Sequence, residues 1–201
     1  KLKYDSLIVA TDSLKIKKII DDIGVQTWFC TKKYSCGTER IASLCADLKF
    51  NKNDIVINIQ GDEYNFPLSA VNKVIADLKI SKKSIVSTVV CNTKDKKLIA
   101  NKDSVKVVTD INDNALYFSR LPIPYNSNES YSLHLGIYGY KVSLLNIHDS
   151  LSNSKYEVSE SLEQLKFIYN NIPVHCVKIK SHNSISINSI NDLKLVTTSI
   201  K

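Results

Sequence analysis

Residues 55–67, IVINIQGDEYNFP, decide the fold of this chain. The segment opens with a continuous apolar run at 55–59, which predicts a buried parallel strand because such strands are covered on both faces. The run ends in Gln60-Gly61-Asp62-Glu63, so two carboxylates lie on a glycine turn at the carboxyl end of the strand. Open α/β sheets bind ligands at this edge, and the turn is therefore a candidate site.

Asp62 is a candidate metal ligand in this turn. Gly61 lets the backbone turn sharply and approach a ligand, and the adjacent Asp supplies a hard oxygen for Mg²⁺ beside a polyphosphate. The same four residues also fit an Asx-type turn with two solvated acids. The tetrapeptide alone does not separate these two interpretations.

The composition excludes several classes of protein. The 201 residues fit one large domain, and the formal charge of +7 comes mostly from lysine. These lysines lack the aromatic interleaving or arginine clusters of a nucleic-acid face, so we expect a field that attracts anionic substrates and no nucleic-acid partner. No apolar run approaches 18 residues, which predicts that the chain does not span a membrane.

The five cysteines indicate a reducing compartment. They are odd in number and lack CxxC spacing, so neither a disulfide framework nor a zinc site is predicted. We therefore expect a cytoplasmic protein.

A βαβ rhythm runs through the first half of the chain. The predicted strands are 7–10, 25–30, 55–59 and 85–91. The helices between them carry apolar stripes over 14–23, 41–48 and 71–78, and Thr38 is the predicted N-cap of the second. Parallel pairing with right-handed crossovers is the default topology.

The second half predicts a mixed sheet. It contains a hairpin with strands 105–109 and 115–119, a long strand 133–140, a helix 159–170, a strand 175–179 and a capping box at 189–192. The expected fold class is α/β, with a mixed, mostly parallel sheet and helices on both faces. We treat residues 1–201 as a single domain.

Six segments occur in a specific order along the chain. They are IVATD (8–12), CGTER (36–40), QGDE (60–63), ALYFSR with PIP (115–124), HLGIYGY (134–140) and ESLEQL (160–165). In this order they resemble the CMP-Kdo synthetases, the 3-deoxy-manno-octulosonate (Kdo) cytidylyltransferases of lipopolysaccharide synthesis. The resemblance covers essentially the whole chain.

The resemblance implies a Rossmann-like nucleotidyltransferase fold and a homodimer. The 2-hydroxyl of Kdo would attack the α-phosphate of CTP and release pyrophosphate, with Mg²⁺ as cofactor. Asp62 would then be a catalytic metal ligand. The positions that match the family's nucleotide-binding residues are Ala10, Thr11, Asp12, Cys36, Gly37, Thr38, Arg40 and Gln60.

The resemblance also implies a sugar site. Arg120 matches the catalytic residue that grips the Kdo carboxylate, because its fork fits a planar anion. His134, Tyr138, Glu163 and Gln164 match positions that contact the sugar. Taken singly, each of these side chains also fits a packing role or a solvated surface.

The chain departs from the family pattern in three places. The family's opening strand, with its phosphate loop, is absent, so we expect neighbouring strands to lack a partner and the domain to be truncated or degenerate. Asn188 replaces an acidic metal ligand, which should weaken Mg²⁺ binding because carboxylate charge holds hard cations. Cys36 replaces a serine.

Three functions therefore stay open. The first is CMP transfer from CTP to Kdo, and the second is the same transfer to another acidic sugar such as a sialic acid. The third is a non-catalytic relic that binds a nucleotide or sugar nucleotide, which Asn188 and the absent loop favour.

Overall fold

The structure begins with a βαβ unit. The computed structural model describes residues 2–80, 85–127, 130–180, 184–187 and 189–199. Strands β1 (Ile8–Thr11) and β2 (Gln26–Phe29) pair in parallel and are joined by helix α1 (Leu14–Asp22), as predicted. No residue of α1 is buried, so its apolar stripe lies outside the described core.

The remaining elements form a larger sheet with its helices and a separate antiparallel pair of short strands, Glu63–Tyr64 with Ile185–Ser186. In chain order they are α2 (Gly37–Asp47), β3 (Ile55–Ile59), β4 (Glu63–Tyr64), α3 (Leu68–Ile80), β5 (Val86–Thr93), α4 (Lys96–Ala100), β6 (Lys106–Thr109), β7 (Ala115–Ser119), β8 (Tyr131–Lys141), α5 (Val142–Leu145), α6 (Lys155–Glu160), α7 (Leu165–Tyr169), β9 (His175–Ile179), β10 (Ile185–Ser186) and α8 (Ile190–Ser199). The predicted hairpin is confirmed as β6 and β7, and Ser189 and Asp192 form the predicted capping box at α8.

The larger sheet is arranged around β8. The strand order is β7-β6-β8-β5-β9, and β3 pairs with β8 on the edge that β6 also uses. Within this sheet only β5 and β9 are parallel, and the other described pairs are antiparallel. The α/β class and the mixed sheet are confirmed, but mostly parallel pairing was wrong. The reason is that β8 returns from the hairpin between β3 and β5, in the opposite direction to both.

β3 shows the consequence of this arrangement. It is antiparallel to β8 and half-buried along its length, not the fully buried parallel strand that its apolar run predicts. Among the described residues β3 pairs only with β8, and β1 pairs only with β2. Within the described residues, each of these strands therefore keeps one edge without a neighbouring strand.

Two apolar cores cover the two faces of the sheet. Alternate residues of a strand face opposite sides. Val86 and Val90 of β5 pack into the core that includes residues of α2, α5 and α7, whereas Val89 and Cys91 pack into the core that includes α3. Helices on both faces are therefore confirmed. Within the described ranges, no helix is long and apolar enough to cross a membrane.

A bulge interrupts the pairing of β5 with β8. Thr88 lies opposite Tyr138, but the next residue, Val89, lies opposite Leu135. Two residues of β8, Gly136 and Ile137, are thus inserted against a single step of β5. A bulge of this kind bends the strand and redirects its backbone groups and side chains.

The predicted helix over 159–170 is broken into two short helices. α6 ends at Glu160, and Ser161 adopts a left-handed conformation with φ of 53° before α7 begins at Leu165. Leu162 and Leu165 are both buried in the core. After the break, Leu162 and Gln164 are buried, Glu163 is half-buried and Ser161 stays exposed.

A substitution at Gly139 of β8 tests how tightly α3 packs against this strand. An added Cβ would lie 2.4 Å from Val74 Cγ1 and 2.6 Å from Leu78 Cδ1, and both side chains are at most 1% exposed. We expect Gly139→Ala to lower the free energy of unfolding by about 2 kcal/mol, as for other overpacked cores. Urea denaturation measures this change. Gly61→Ala is the control, because a Cβ there meets no atom within 4 Å; equal losses in the two variants would contradict the account.

Candidate active site

One cavity of about 300 Å³ brings together seven of the predicted site residues. They are Gln60, Asp62, Arg120, His134, Tyr138, Glu163 and Gln164. These residues come from four separate segments of the chain. Arg120 and His134, which are 14 positions apart in sequence, line this same cavity.

Backbone carbonyl groups hold the Arg120 guanidinium. Its Nε donates to the Glu160 carbonyl at 2.8 Å, Nη2 to the Ser161 carbonyl at 3.2 Å and Nη1 to the Lys102 carbonyl at 3.1 Å. A guanidinium has five N–H donors, so two remain for a ligand. Because neutral carbonyls leave its charge uncompensated, Arg120 presents a fixed cation to the cavity.

Two charged residues to which the sequence analysis assigned no role, Glu160 and Lys106, hold the backbone of this arginine. The Glu160 carboxylate accepts hydrogen bonds from the Arg120 N–H at 2.9 Å and from the Ser119 hydroxyl at 2.9 Å. Lys106 is fully buried and donates to the Arg120 carbonyl, as well as to those of Asn101 and Ser104. Burial lowers the pKa of Lys106, although Glu160 opposes this effect.

The two acidic residues in the turn after β3 lie in different environments. Asp62 is exposed and lines the cavity, as a ligand for a cation requires. Glu63 is half-buried, and its Oε1 accepts from the Ser186 hydroxyl at 2.6 Å and from the Gly136 N–H at 3.3 Å. Glu63 therefore anchors the turn to β8 and β10. The alternative of two solvated acids is wrong for Glu63.

Gly136 gives the turn room to lie against the β8 bulge. A Cβ on Gly136 would lie 2.9 Å from Glu63 Oε1 and 3.2 Å from the Gln60 side chain. The Gln60 N–H donates to the Gly136 carbonyl at 3.3 Å. Only glycine allows this close approach of strand and turn without displacement.

His134 is an uncharged member of the cavity wall. Burial lowers its pKa to about 3. Its Nε2 lies 2.9 Å from the Thr88 hydroxyl oxygen, and its ring packs against Phe118 and Tyr138. At neutral pH it therefore offers hydrogen bonding but no positive charge to a ligand.

Two cavity residues carry buried polar atoms that have no hydrogen-bond partner within the described part of the chain. They are Glu163 Oε1 and Gln164 Nε2. Such atoms are costly unless a ligand or water pairs with them. One is an acceptor and the other a donor, which suits a ligand rich in hydroxyl groups.

Glu163 also links the cavity to the N-terminus of α2. Its Oε2 accepts a hydrogen bond from the Thr38 N–H at 3.1 Å. A carboxylate is favourable there because unpaired N–H groups and the positive end of the helix dipole meet at a helix N-terminus. The predicted nucleotide segment and the predicted sugar segment are thus in direct contact.

The cap of α2 differs from the prediction. Cys36 occupies the N-cap without a side-chain cap hydrogen bond, and Thr38 lies inside the first turn. The Thr38 hydroxyl is instead 3.0 Å from the buried Tyr140 hydroxyl. Burial, reinforced by the nearby Glu163, raises the pKa of Cys36 to about 12, so its thiol stays protonated.

The other predicted nucleotide residues lie around α2, outside the first cavity. Arg40 Nη2 is 3.4 Å from Asp12 Oδ2, which joins the first turn of α2 to the end of β1. Ala10 packs at the edge of the core, and Thr11 is buried. A Cβ on Gly37 would lie 3.4 Å from the Gln60 amide, so this helix start adjoins the cavity.

A second cavity of about 550 Å³ lies on the other side of the segment 161–163. Its wall includes Cys36 together with Glu157 and Val158 of α6. The two cavities share Ser161, Leu162 and Glu163. The break between α6 and α7 therefore forms a partition between them.

The metal prediction is compatible with the turn geometry. The described residues contain no cluster of three or more His, Cys, Asp or Glu that could hold a metal ion. Mg²⁺ commonly uses one or two carboxylates and completes its shell with water and substrate phosphates, so the exposed Asp62 fits. Asn188 lies outside the described residues, but the preceding Ile187 N–H donates to the Asp62 carbonyl at 2.9 Å.

The low pKa of His134 predicts a pH dependence of stability. The unfolded chain binds a proton on this imidazole below about pH 6.5, whereas the folded chain does so only near pH 3. The contribution of neutral His134 to the free energy of unfolding is therefore fully present above pH 6.5. It falls as the pH drops, by up to about 1.4 kcal/mol per pH unit.

We expect His134→Gln to lack this part of the decline. Urea denaturation of both proteins between pH 7 and pH 5 measures it. Parallel stability curves over this range would contradict a buried, neutral His134.

Comparisons with known proteins agree with this geometry. The cytidylyltransferase family matches residues 2–181. The 3-deoxy-manno-octulosonate cytidylyltransferase of Francisella tularensis subsp. novicida (strain U112) is 35% identical over 205 residues, covering 98% of this chain and 82% of that protein. The protein of the same name from Fusobacterium nucleatum subsp. nucleatum is 37% identical over 204 residues, covering 100% and 82%.

Solved structures show the same relationship. The structure of CMP:2-keto-3-deoxy-manno-octonic acid synthetase complexed with CTP matches with a TM-score of 0.88 at 27% identity, covering 97% of this chain and 80% of that one. The inositol-1-phosphate CTP transferase from T. maritima shares the fold, with a TM-score of 0.59 at 17% identity. The match covers 97% of this chain and 74% of that one. The predicted Rossmann-like nucleotidyltransferase fold is confirmed, and the chain belongs to the cytidylyltransferase family.

Proposed function

We propose that this chain transfers CMP from CTP to Kdo and so produces CMP-Kdo and pyrophosphate for lipopolysaccharide synthesis. The observation that carries the proposal is the first cavity, where the fixed Arg120 guanidinium faces a site with unpartnered polar atoms on Glu163 and Gln164. A cation beside a donor and an acceptor suits an acid that also bears several hydroxyl groups. The relatives that match the chain along its length carry the name of this activity.

Arg120 positions the sugar acid in this proposal. Its two remaining N–H groups bind the carboxylate, and the carbonyl groups around it prevent the guanidinium from turning away. Glu163 Oε1 and Gln164 Nε2 then pair with sugar hydroxyls. Every one of these contacts orients the substrate, which is how positioning lowers a bimolecular barrier.

The nucleotide binds at the start of α2 and meets the sugar across Gln60 and Glu163. The positive end of the helix dipole at this N-terminus favours phosphate, and Arg40 adds a cation in the first turn. The 2-hydroxyl oxygen of the sugar forms a bond to the α-phosphorus of CTP while the bond to the β-phosphate oxygen breaks. Pyrophosphate leaves, and the hydroxyl proton is released.

Magnesium dependence is part of this proposal. Asp62 would hold the ion, and Asn188 is proposed as a second oxygen donor because the residue before it in sequence, Ile187, donates its N–H to the Asp62 carbonyl. When bound, Mg²⁺ supplies charge neutralisation at the phosphates.

We also propose a homodimer in the cytoplasm, organised as one nucleotidyltransferase domain. All five cysteines are free, which fits a reducing compartment. Sedimentation equilibrium of the full chain tests the dimer.

The test of the proposed function is product formation by the full chain. Purified protein is incubated with CTP, Mg²⁺ and Kdo, and ³¹P NMR follows conversion of the α-phosphate into a sugar phosphodiester with release of pyrophosphate. The proposal expects turnover with Kdo and little with a sialic acid. Turnover with sialic acid alone, or CTP binding without turnover of either sugar, would contradict it in favour of the second or third function.

Asp62→Asn tests the metal site. The amide removes the charge that holds Mg²⁺, so we expect kcat to fall on the order of 100-fold and the Mg²⁺ concentration for half-maximal rate to rise. The fold should persist, because the Asp62 side chain is exposed. Asp22→Asn, on the exposed face of α1, is the matched control and should behave as wild type. Unchanged Mg²⁺ dependence in Asp62→Asn would exclude Asp62 as the ligand.

The only two arginines of the chain, Arg40 and Arg120, provide reciprocal variants. Lysine keeps the charge but cannot make the bidentate contact. We expect Arg120→Lys to raise the KM for Kdo about tenfold and to leave the KM for CTP nearly unchanged. Arg40→Lys should act mainly on the KM for CTP. Steady-state kinetics with each substrate varied in turn measures both, and the opposite pattern would reverse the assignment of the two sites.

A further inference from the structure

Thr88 is a buried residue of β5 that does not line the first cavity, but its hydroxyl contacts His134, which does. It is fully buried and lies at the break in register with β8. Its hydroxyl donates to the Ile137 carbonyl at 2.9 Å. Ile137 belongs to the two inserted residues of β8, so this hydrogen bond replaces one that the regular ladder would have supplied. Because a carbonyl oxygen only accepts, the single hydroxyl proton of Thr88 is committed to Ile137.

This commitment determines which nitrogen of His134 carries hydrogen. His134 Nε2 lies 2.9 Å from the same Thr88 hydroxyl oxygen. Since that oxygen has no proton to give, Nε2 must be the donor. A neutral imidazole carries one N–H, so Nδ1 is left as a bare acceptor. Among the residues that the structure describes, Nδ1 of His134 has no hydrogen-bond partner, and His134 lines the first cavity.

The other neighbours of His134 restrict the position of its ring but do not favour either tautomer. The centroid of the Phe118 ring is 5.4 Å away at an interplanar angle of 83°, and that of Tyr138 is 5.1 Å away at 46°. These ring contacts restrict the plane of the imidazole. They do not distinguish its two nitrogens, so that choice depends on Thr88.

We propose that Thr88 is a positioning residue for sugar recognition, which holds His134 in the Nε2–H tautomer so that Nδ1 accepts a hydrogen bond from a hydroxyl of the bound sugar acid. The identity of that sugar rests on the proposed function. This tautomer adds a hydrogen-bond acceptor to a cavity in which Arg120 and Gln164 supply donors. A sugar hydroxyl can donate as well as accept, and His134 Nδ1 and Glu163 Oε1 are acceptors that this cavity offers.

The tautomer can be read in the free protein, without any substrate. Two-bond ¹H–¹⁵N correlation spectra of the ¹⁵N-labelled chain distinguish a protonated ring nitrogen from a bare one, and the signals of His134 are assigned by their absence in His134→Gln. We expect a protonated Nε2 and a bare Nδ1 at pH 7. A protonated Nδ1 would overturn the proposal.

Three variants separate the hydroxyl from the packing around it. Thr88→Val removes the hydroxyl and keeps the branched shape, and Thr88→Ser keeps the hydroxyl. Ser87→Ala is the matched control, because Ser87 is equally buried, faces the opposite side of the sheet and, among the described residues, has no hydrogen-bond partner for its Oγ. Thermal unfolding of each variant verifies that it is folded before kinetics are measured.

We expect Thr88→Val to raise the KM for Kdo about tenfold, the worth of one hydrogen bond, with the KM for CTP and kcat nearly unchanged. The His134 spectrum of this variant should show a mixture of tautomers. Thr88→Ser should restore both properties, and Ser87→Ala should match wild type. A Thr88→Val variant with the wild-type KM for Kdo would overturn the proposal.

The failure of this inference is distinguishable from failure of the proposed function. A wild-type chain that does not turn over Kdo contradicts the function. The tautomer of His134 is decided separately by the spectrum of the free protein, which also decides the inference if Thr88→Val does not fold.

Discussion

The break in register between β5 and β8 is the constraint on which the site depends. Inserting Gly136 and Ile137 against one step of β5 removes two residues from the regular ladder. The side chains of Gln60 and Glu63 then pack against Gly136, and the Ile137 carbonyl accepts a hydrogen bond from the Thr88 hydroxyl. A regular strand would align its side chains alternately above and below the sheet and leave no place for the turn after β3. The bulge therefore makes the floor of the cavity.

The segment between α6 and α7, where the helix breaks at Ser161, forms another part of the wall of the first cavity. The turn between α6 and α7 carries Glu163 to the N-terminus of α2 and brings the carbonyl groups of Glu160 and Ser161 to the Arg120 guanidinium. One short segment thus supports both the predicted nucleotide element and the predicted sugar-binding arginine. Movement of this turn would change both parts of the site together, which couples the two substrates through packing and hydrogen bonds.

The sequence predicted elements with strong local signals and failed where tertiary contacts decide. The apolar run before Asp62 correctly located β3, but the run could not show that β8 would return beside it antiparallel. The helical periodicity at 159–170 gave no sign of a break, because Leu162 and Leu165 are spaced as on one face of a helix although Ser161 ends α6 in a left-handed conformation. Ordered motifs identified Arg120 and His134, whereas Lys106 and Thr88 act through hydrogen bonds between distant segments and carry no local signal.

The central claim is that one cavity holds the acidic sugar against the start of α2, with Arg120 on its carboxylate. The most direct measurement is a crystal structure of the full chain with CTP and Kdo bound. The account predicts the Kdo carboxylate on the Arg120 guanidinium, the CTP phosphates at the first turn of α2 and the sugar 2-hydroxyl facing the α-phosphate. A sugar bound in the second cavity, or a carboxylate paired with Arg40 in place of Arg120, would contradict it.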